Sequence, residues 1–454
     1  MALTAFQIAR HLGIATPPRD ATFPAVCHDT RALRPGDLFA AMKGENTDGH
    51  AFIADAVKKG ASGVLHEEGQ PVPKGVVSLA VKDALLAYRE TALLWRRQFS
   101  YPVIAVGGSA GKTTSKELIA ALLRGRWPAA VATEGNKNGL HGIPHTLVRL
   151  RPESGAAVVE IGIDEIGTMA QHARIVEPSI AILTSIGPEH LEKLVDVDTV
   201  EREEAKLFEQ AERTGGTACV NCDDERIYRS GLRLSHARAL FYSLGRIPSG
   251  HDGLEGKLLD DRLLVKFPSG GEEFPLPLEG RHNALNLLGA LTAAHAAGLT
   301  PAEMRAGLAT FTPPPGRSET HEWRGVKVFA DFYNANPVSV GASLEAACRG
   351  GGARVWACLA DMLELGRFEE ELHRGLADPV LHHGVGHVLL FGPRTKHLED
   401  ELRRRGYQGE LRHFDSKAGL TAHLRAGLRA GDVLMIKGSR SMAMDEVWEA
   451  LQRG

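Results

Sequence analysis

A glycine-rich loop around residue 110 has the residue types and spacing that bind phosphate. An apolar stretch from 103 to 106 leads into it, Gly-Lys-Thr follows, and a stretch with helical spacing comes next. Backbone N–H groups of such a loop converge on phosphate oxygens, and the helix N-terminus adds partial positive charge. Val106 replaces the first glycine of the full pattern, so the loop is a shortened form, and an ordinary strand-to-helix turn is the alternative. The residues predicted to contact a nucleotide are Gly108, Ser109, Ala110, Gly111, Lys112, Thr113 and Thr114.

Two of these side chains have predicted roles, and two later residues complete the pattern. We expect Lys112 at the β- and γ-phosphates and the Thr113 hydroxyl on Mg²⁺. Glu160 ends an apolar stretch, which places its carboxylate at the ligand-binding edge of a parallel sheet, beside this cation. His190 follows a later apolar stretch and reaches the same edge. Because Mg²⁺ prefers oxygen ligands, the pattern alone leaves a structural role open for His190.

The elements that must position these residues alternate between strand and helix. A chain of 454 residues accommodates two to four domains, and three is the central expectation. Short strands and helices alternate over 1–98, and strand, glycine turn and helix repeat over 99–312. Three prolines then open the segment 313–454, in which the alternation returns. The fold class is therefore predicted as α/β, with a small N-terminal domain, a central parallel-sheet phosphate-loop domain and a C-terminal Rossmann-like domain.

Composition excludes several classes of protein. The chain has 53 basic and 56 acidic residues and a net charge of −3, so no basic field indicates nucleic acid or a membrane surface as partner. No apolar run reaches the length of a membrane span, and the N-terminal residues lack a signal-peptide pattern. The five cysteines favour a reducing cytoplasm. Cys219 and Cys222 have CxxC spacing, for which we weigh a zinc or redox role against a buried strand end.

Ordered motifs over nearly the whole chain resemble those of the Mur ligases, the ATP-dependent amide ligases of peptidoglycan synthesis. They are DTR at 29–31, PGDLFAA at 35–41, DGHAFI at 48–53, GSAGKT at 108–113, GRHNALN at 280–286, DFYNANP at 331–337, DMLELG at 361–366 followed by His373, and KGSR at 437–440. Within the family, the C-terminal motifs are most similar to the branch that joins UDP-N-acetylmuramoyl-tripeptide to D-alanyl-D-alanine.

The resemblance implies an activity and its cofactors. ATP would phosphorylate the carboxylate of a UDP-linked muramoyl peptide, and the amine of a dipeptide would then displace phosphate from the acyl phosphate. ATP and Mg²⁺ are the implied cofactors, and both substrates are small molecules. The family further implies a cytoplasmic monomer whose N-terminal domain, 1–98, binds the UDP-linked substrate.

The resemblance also implies roles for individual residues. The catalytic residues would be Lys112, His190 and Arg317. Further contacts to ATP would come from Asn283, Arg317, Asp331, Tyr333 and Asn334. The metal ligands would be Thr113, Glu160, His190 and Glu204. The substrate-binding residues would be Thr30, Arg31, Asp48, Gly49, His50, Asn136, Asn138, Asn336 and Lys437.

The sequence departs from the family pattern at three places. The family has a carbamoylated lysine, followed two residues later by glutamate, where this chain has Glu204 and Lys206. Either Glu204 supplies the missing carboxylate, or the second metal site is weakened. Near the acceptor side, Gly139 replaces an asparagine and Asp164 and Glu165 add two acids. These changes keep two alternatives open, namely a paralogue that ligates another carboxylate and amine, and a non-catalytic nucleotide-binding protein.

Overall fold

The computed structural model describes residues 1–44, 47–235, 238–349 and 354–453, and it confirms the α/β fold class. The strands are β1 (Leu3–Thr4), β2 (Thr22–Phe23), β3 (Val26–Cys27), β4 (Leu38–Ala40), β5 (Gly63–Glu67), β6 (Val77–Val81), β7 (Val103–Gly107), β8 (Val131–Ala132), β9 (Ala157–Glu160), β10 (Ile180–Leu183), β11 (Thr217–Asn221), β12 (Arg238–Ser243), β13 (Gly253–Leu258), β14 (Arg262–Phe267), β15 (Gly270–Pro275), β16 (Glu319–Trp323), β17 (Val326–Ala330), β18 (Val355–Ala360), β19 (His387–Phe391), β20 (Glu410–Phe414) and β21 (Val433–Lys437).

Helices cover the faces of the sheets. They are α1 (Ala5–Leu12), α2 (Ile53–Lys58), α3 (Ala84–Arg96), α4 (Lys112–Arg124), α5 (Gly142–Leu147), α6 (Thr168–Val176), α7 (Leu191–Leu194), α8 (Val197–Arg213), α9 (Glu225–Leu232), α10 (Arg281–Ala296), α11 (Pro301–Leu308), α12 (Pro337–Cys348), α13 (Glu369–Gly375), α14 (Ala377–His382), α15 (Lys396–Arg404), α16 (Lys417–Gly427) and α17 (Asp445–Gln452). Across the described residues, no helix combines the length and apolar character that a membrane span requires.

The N-terminal segment contains a parallel sheet with strand order β3-β4-β5-β6 and a separate pair, β1-β2. Helix α3 begins at an Asp83 cap and packs between this sheet and the next segment. Its Arg96 guanidinium donates to the backbone carbonyl of Val176 at 3.0 Å, and its Trp95 indole donates to that of Leu150 at 3.1 Å. Buried bonds of this kind join the N-terminal segment to the central one.

The central sheet has nine strands in the order β15-β14-β13-β12-β11-β10-β7-β9-β8. It is parallel from β8 to β13, as the strand–turn–helix pattern predicts. The antiparallel strands β14 and β15 extend one edge, and the sequence analysis did not predict them. β7 is buried along its whole length because helices cover both faces, which explains its unbroken apolar sequence. Cys219 lies buried within β11 and Cys222 follows its end, as the structural alternative for this pair expects.

The C-terminal sheet has six strands in the order β16-β17-β21-β18-β19-β20. All its pairs are parallel except β16 with β17, so the segment is Rossmann-like with an antiparallel edge strand. The main sheets lie respectively within 1–98, 99–312 and 313–454. The boundaries between these segments stay predictions.

Candidate active site

The central and C-terminal sheets face each other across a cleft of about 650 Å³. Its central walls are the residues after β7, β9 and β10 and the start of α10, and its opposite wall comes from the residues after β17, β18 and β21. The predicted site residues that line it are Ser109, Ala110, Gly111, Lys112, Thr113, Thr114, Asn136, Asn138, Glu160, His190, Asn283, Arg317, Asp331, Tyr333, Asn334, Asn336 and Lys437.

The glycine-rich loop connects β7 to α4, and Lys112 is the first residue of that helix. Gly108 has a φ of +115°, and a Cβ there would lie 2.8 Å from the backbone nitrogen of Thr184, so a side chain is excluded. The backbone N–H of Ser109 donates to the Ser185 carbonyl at 2.7 Å. The N–H groups of Gly108 and Ala110 are also engaged, by the Glu204 carboxyl group and the Ser185 hydroxyl. The loop is thus held against the end of β10, and the N–H groups at the start of α4 are left to face an anion.

Lys112 points back into the protein in this structure. Its ammonium contacts the Gly108 carbonyl and forms an ion pair with Glu189 at 3.1 Å. Burial alone would lower the pKa of Lys112, but the carboxylates of Glu189 and Glu204 raise it above its ordinary value. Lys112 is therefore a fully charged cation at the end of the cleft where phosphate would lie.

Glu160 has the surroundings of a magnesium ligand. The Thr113 hydroxyl donates to its Oε1 at 3.0 Å, and the Asn138 amide donates to the same oxygen at 2.8 Å. Its other oxygen, Oε2, is buried and has no hydrogen-bond partner. A buried carboxylate oxygen without a partner is costly, and oxygen donors are the ligands that Mg²⁺ prefers. Thr113 and Glu160 therefore fit the cation predicted for them.

His190 enters the cleft through an unusual backbone conformation. With a φ of +47° it precedes the short helix α7, and its Nδ1 lies 2.5 Å from Oε2 of Glu364 in the C-terminal segment. The backbone N–H of Glu192 also donates to the Glu364 carbonyl at 3.3 Å. His190 is therefore part of the contact between the two walls, and its Nε2 is the ring nitrogen left for a ligand. Its assignment as a metal ligand stays a prediction.

Glu204 does not line the cleft. It is fully buried on α8 beneath the glycine-rich loop, where its Oε2 accepts the backbone N–H of Gly108 at 2.9 Å. Burial, together with the neighbouring Glu189 carboxylate, raises the pKa of Glu204 to about 8. Lys206 pairs with Glu203 instead of turning toward the loop. The structure therefore places Glu204 as a support of the loop backbone, and its direct coordination of a metal stays a prediction.

The C-terminal wall supplies an arginine held by an aromatic ring. The Arg317 guanidinium lies 3.9 Å from the centre of the Tyr333 ring, and the Asn336 amide donates to the Ser109 carbonyl at 3.3 Å. The second contact joins this wall directly to the phosphate loop. Arg317 thus lines the cleft from a segment other than the one that carries Lys112, and its contact with ATP stays a prediction.

Asp331 and Lys437 form a buried pair at the base of the same wall. The Lys437 ammonium contacts the Asp331 carboxylate, and Lys437 is only 2% exposed. It also donates to the backbone carbonyl of Asn334 at 3.1 Å. Although burial opposes it, the positive charge of Lys437 holds the pKa of Asp331 below its ordinary value. In this structure Lys437 orders the loop that carries the predicted ATP contacts. Its role in binding the substrate stays a prediction.

Asn283 lies in the first turn of α10 and lines the cleft. Its amide donates to the Glu279 carbonyl at 2.7 Å, and its Oδ1 accepts from the Asn286 amide at 3.3 Å. Asn286 in turn lies so close to Gly111 that a Cβ there would meet its Oδ1 at 2.6 Å. The pair therefore links the predicted adenine-contacting helix to the phosphate loop.

The predicted substrate-binding residues of the N-terminal segment lie outside this cleft: Thr30, Arg31, Asp48, Gly49 and His50. Arg31 is exposed and paired with Asp29 at 2.7 Å. Both ring nitrogens of His50 are engaged, Nδ1 by the Asp48 carboxylate at 2.7 Å and Nε2 by the Glu67 backbone N–H at 3.1 Å. His50 thus orders its loop in this structure, and a direct contact with substrate stays a prediction.

Two buried residues beside the loop were missed by the sequence analysis. Glu189 pairs with Lys112, and its position directly before His190 was the only signal available. Lys116 is fully buried on α4, contacts Glu117, and donates to the carbonyls of Thr133 at 2.9 Å and Gly135 at 3.2 Å. It thereby connects the phosphate-binding helix to the loop that carries Asn136 and Asn138.

A phosphate-binding loop on a parallel sheet, with a cleft shared by a Rossmann-like segment, is typical of an enzyme that uses a nucleoside triphosphate. Family models agree along the chain: the Mur ligase family catalytic domain matches 23–95, the Mur ligase middle domain 106–294, and the Mur ligase glutamate ligase domain 316–440. The chain belongs to the Mur ligase family, and it is an ATP-dependent ligase.

Individual relatives are similar over nearly their full length. UDP-N-acetylmuramoyl-tripeptide–D-alanyl-D-alanine ligase from Synechocystis is 32% identical, with 96% of this chain and 93% of the relative covered. The ligase of the same name from Escherichia coli is 32% identical, with 95% and 94% covered. The crystal structure of MurF from Acinetobacter baumannii has a TM-score of 0.84 at 25% identity, covering 100% of this chain and 99% of that one. The structure of a Thermotoga maritima MurF with ADP has the same fold, with a TM-score of 0.79 at 24% identity, covering 94% and 97%.

Proposed function

We propose that this chain uses ATP to join D-alanyl-D-alanine to UDP-N-acetylmuramoyl-tripeptide, the reaction that its relatives' names state. The observation that carries the proposal is the cleft itself, in which Lys112 and Glu160 of one wall face Arg317 of the other. Phosphoryl transfer depends mainly on positioning and on charge neutralisation, and these three residues supply both. We also infer a cytoplasmic protein, an inference supported by the free thiols of all five cysteines. A monomer is inferred from the family resemblance alone.

In the proposed reaction, each charged residue of the cleft neutralises a different part of the phosphate charge. Lys112 moves from Glu189 to the β- and γ-phosphates, and Arg317 neutralises charge that develops on the transferred phosphoryl group. Mg²⁺, when bound at Thr113 and Glu160, screens the phosphate charge and orients the γ-phosphate. Contact between Asn336 and the Ser109 carbonyl keeps the cleft closed, which excludes water from a hydrolysable acyl phosphate.

The test measures inorganic phosphate released from ATP and Mg²⁺ with UDP-N-acetylmuramoyl-tripeptide, with and without D-alanyl-D-alanine. We expect release that requires both substrates, with the pentapeptide product identified by mass spectrometry. Release only with another carboxylate and amine would identify a paralogue, an alternative favoured by the acids at Asp164 and Glu165. No release with any pair, despite ADP binding, would indicate a non-catalytic protein.

A first prediction concerns dissolved CO₂. Position 204 has no amine to carbamoylate, and Lys206 is paired with Glu203. We therefore expect the same turnover in CO₂-depleted buffer as in buffer with bicarbonate, measured as phosphate release. Loss of turnover in depleted buffer, restored by bicarbonate, would contradict the prediction and would point to a carbamoylated lysine elsewhere in the site.

A second prediction concerns Lys116. Methionine at this position would leave the Thr133 and Gly135 carbonyls without a buried cationic donor, at a cost of about 1–3 kcal/mol. The loop that carries Asn136 and Asn138 would then shift, while α4 itself keeps its backbone bonds. We expect K116M to raise the KM for the UDP-linked substrate by about 10-fold, since 1.4 kcal/mol corresponds to a factor of ten.

The affinity for ADP, measured by calorimetry, separates this effect from general damage. It is expected to stay unchanged in K116M, because the loop N–H groups and Lys112 are retained. K257M, at an exposed position of β13, is the matched control and should change neither quantity. An equal loss of ADP affinity and substrate affinity would show that the substitution disturbs α4 as a whole.

A further inference from the structure

Three buried carboxylates surround Lys112, and each has one oxygen without a hydrogen-bond partner. These oxygens are Oε2 of Glu160, Oε1 of Glu189 and Oε1 of Glu204. Glu189 is only 8% exposed, yet it lines the cleft, whereas Glu204 is fully buried and does not. The free oxygen of Glu189 is thus a buried carboxylate oxygen in the cleft, beside Lys112. The proposed reaction assigns it no role.

This inference rests on the proposed function, in which Lys112 leaves Glu189 for the phosphates and their ion pair is broken. Their separation of 3.1 Å satisfies both charges in the ligand-free protein. When Lys112 turns to the nucleotide, Glu189 stays buried without its counter-ion and close to a further anion. A buried carboxylate that loses its partner is strongly unfavourable. A second cation beside Glu189 would restore the balance of charge as the nucleotide binds.

We propose that Glu189 is a carboxylate ligand of a divalent cation that enters with the nucleotide and takes the place of Lys112. Hard cations such as Mg²⁺ and Mn²⁺ are the chemical class that carboxylate and phosphate oxygens bind. Mg²⁺ is commonly held by one or two carboxylates with substrate phosphates and water. Consistent with this, no three His, Cys, Asp or Glu side chains in the described part of the chain form a ready-made metal site.

Glu189 is better placed for this role than Glu204. One oxygen of Glu204 is engaged by the Gly108 N–H at 2.9 Å, beneath the loop. Glu189 instead follows the end of β10 on the cleft side, directly before His190. A chain with glutamate in place of the family's carbamoylated lysine can thus obtain the missing negative charge from Glu189.

The alternative is that Glu189 acts only as a positioning residue that holds Lys112. The two roles predict different results for E189Q in nucleotide binding with and without metal. If Glu189 binds the cation, its replacement frees Lys112 and leaves metal-free nucleotide affinity unchanged or higher, while the gain from metal falls. If Glu189 only positions Lys112, affinity falls by the same factor in both conditions.

The experiment titrates the full chain with β,γ-methylene-ATP, with and without Mn²⁺, by calorimetry, and counts bound Mn²⁺ by electron paramagnetic resonance. We expect E189Q to lose at least about 10-fold of the affinity gain due to Mn²⁺, by analogy with the 10- to 100-fold effects of metal-site supporting residues. It should also bind one Mn²⁺ fewer per chain than the unchanged protein. An equal fall in both conditions, or an unchanged Mn²⁺ count, would overturn the proposal.

Two further variants keep this test decisive. E192Q replaces an exposed glutamate on the adjacent helix α7 and should behave as the unchanged protein. E189D keeps a carboxylate and should retain more of the Mn²⁺ gain than E189Q, which separates coordination from a folding defect. No carboxylate or amine substrate is needed, so failure of this inference is distinguishable from failure of the proposed ligase reaction.

Discussion

The variant K112M is expected to release phosphate from ATP at least about 1000-fold more slowly than the unchanged chain. In the proposed function Lys112 is the cation that neutralises the β- and γ-phosphates, and methionine keeps its length and apolar stem without the charge. Loss of one preorganised donor to developing charge costs about 10²–10³ in kcat, and a charged group aimed at a transferring phosphoryl group costs more. A 1000-fold loss corresponds to about 4 kcal/mol of transition-state stabilisation.

The measurement is single-turnover phosphate release at saturating ATP. At saturation the rate reports the phosphoryl-transfer step and does not depend on the affinity for ATP. The ion pair at 3.1 Å is lost as well, which leaves Glu189 buried and unpaired, so thermal unfolding must be recorded for the same preparation. K257M, on exposed β13, is the control lysine. A folded K112M that retains more than about a tenth of the rate would remove Lys112 from the phosphoryl-transfer machinery, since a tenfold change is only 1.4 kcal/mol.

Local sequence determined which site residues were predictable. The phosphate loop is a strand, a glycine turn and a helix within about a dozen residues, so its geometry follows from short-range rules. Glu160 was predictable for a similar reason, because a residue that ends a buried parallel strand lies at the ligand edge of the sheet. The structure places Glu160 Oε1 3.0 Å from the Thr113 hydroxyl.

The partners of these residues depend on contacts between distant parts of the chain. Glu189 meets Lys112 from 77 residues away, and Glu204 meets the Gly108 N–H from 96 residues away. Periodicity carries no information about such pairs, because it reports which face of an element is buried and not what that face contacts. The antiparallel strands β14 and β15 were missed for a related reason, since a continuing strand–helix alternation was expected up to residue 312.

The resemblance to a family predicted site residues that spacing alone cannot assign. The structure places some of them in the cleft and others outside it. Arg317, Asp331, Tyr333 and Asn336 all reach the cleft from the C-terminal segment. The residues assigned to the UDP-linked substrate in the N-terminal segment do not, which is consistent with a substrate that spans from that segment to the reacting carboxylate. Arg317 and Lys112 line the same cleft from different segments, a pairing that the sequence of either wall alone does not reveal.

The second large effect is expected at Arg317, where R317A should lower the rate of phosphate release by at least about 1000-fold with little change in thermal stability. Among the residues that the structure describes, no carboxylate forms an ion pair with Arg317, and its guanidinium stacks on the Tyr333 ring at 3.9 Å. This arrangement orients a cation without neutralising it. Arginines that a separate element inserts at a transferring phosphoryl group contribute about 10³–10⁵ to kcat.

R317K distinguishes charge from geometry at the same position. Lysine keeps the charge but cannot offer the planar, forked set of N–H donors or the flat stacking surface, so we expect R317K to recover only part of the lost rate. R403A, which removes an exposed pair with Glu399 on α15, controls for loss of an arginine from the same segment. Because Arg317 comes from the wall opposite the phosphate loop, we expect its loss to lower kcat far more than it lowers ADP affinity. Equal losses of rate and ADP affinity would mean that Arg317 binds the nucleotide in its ground state and does not act on the transferred group.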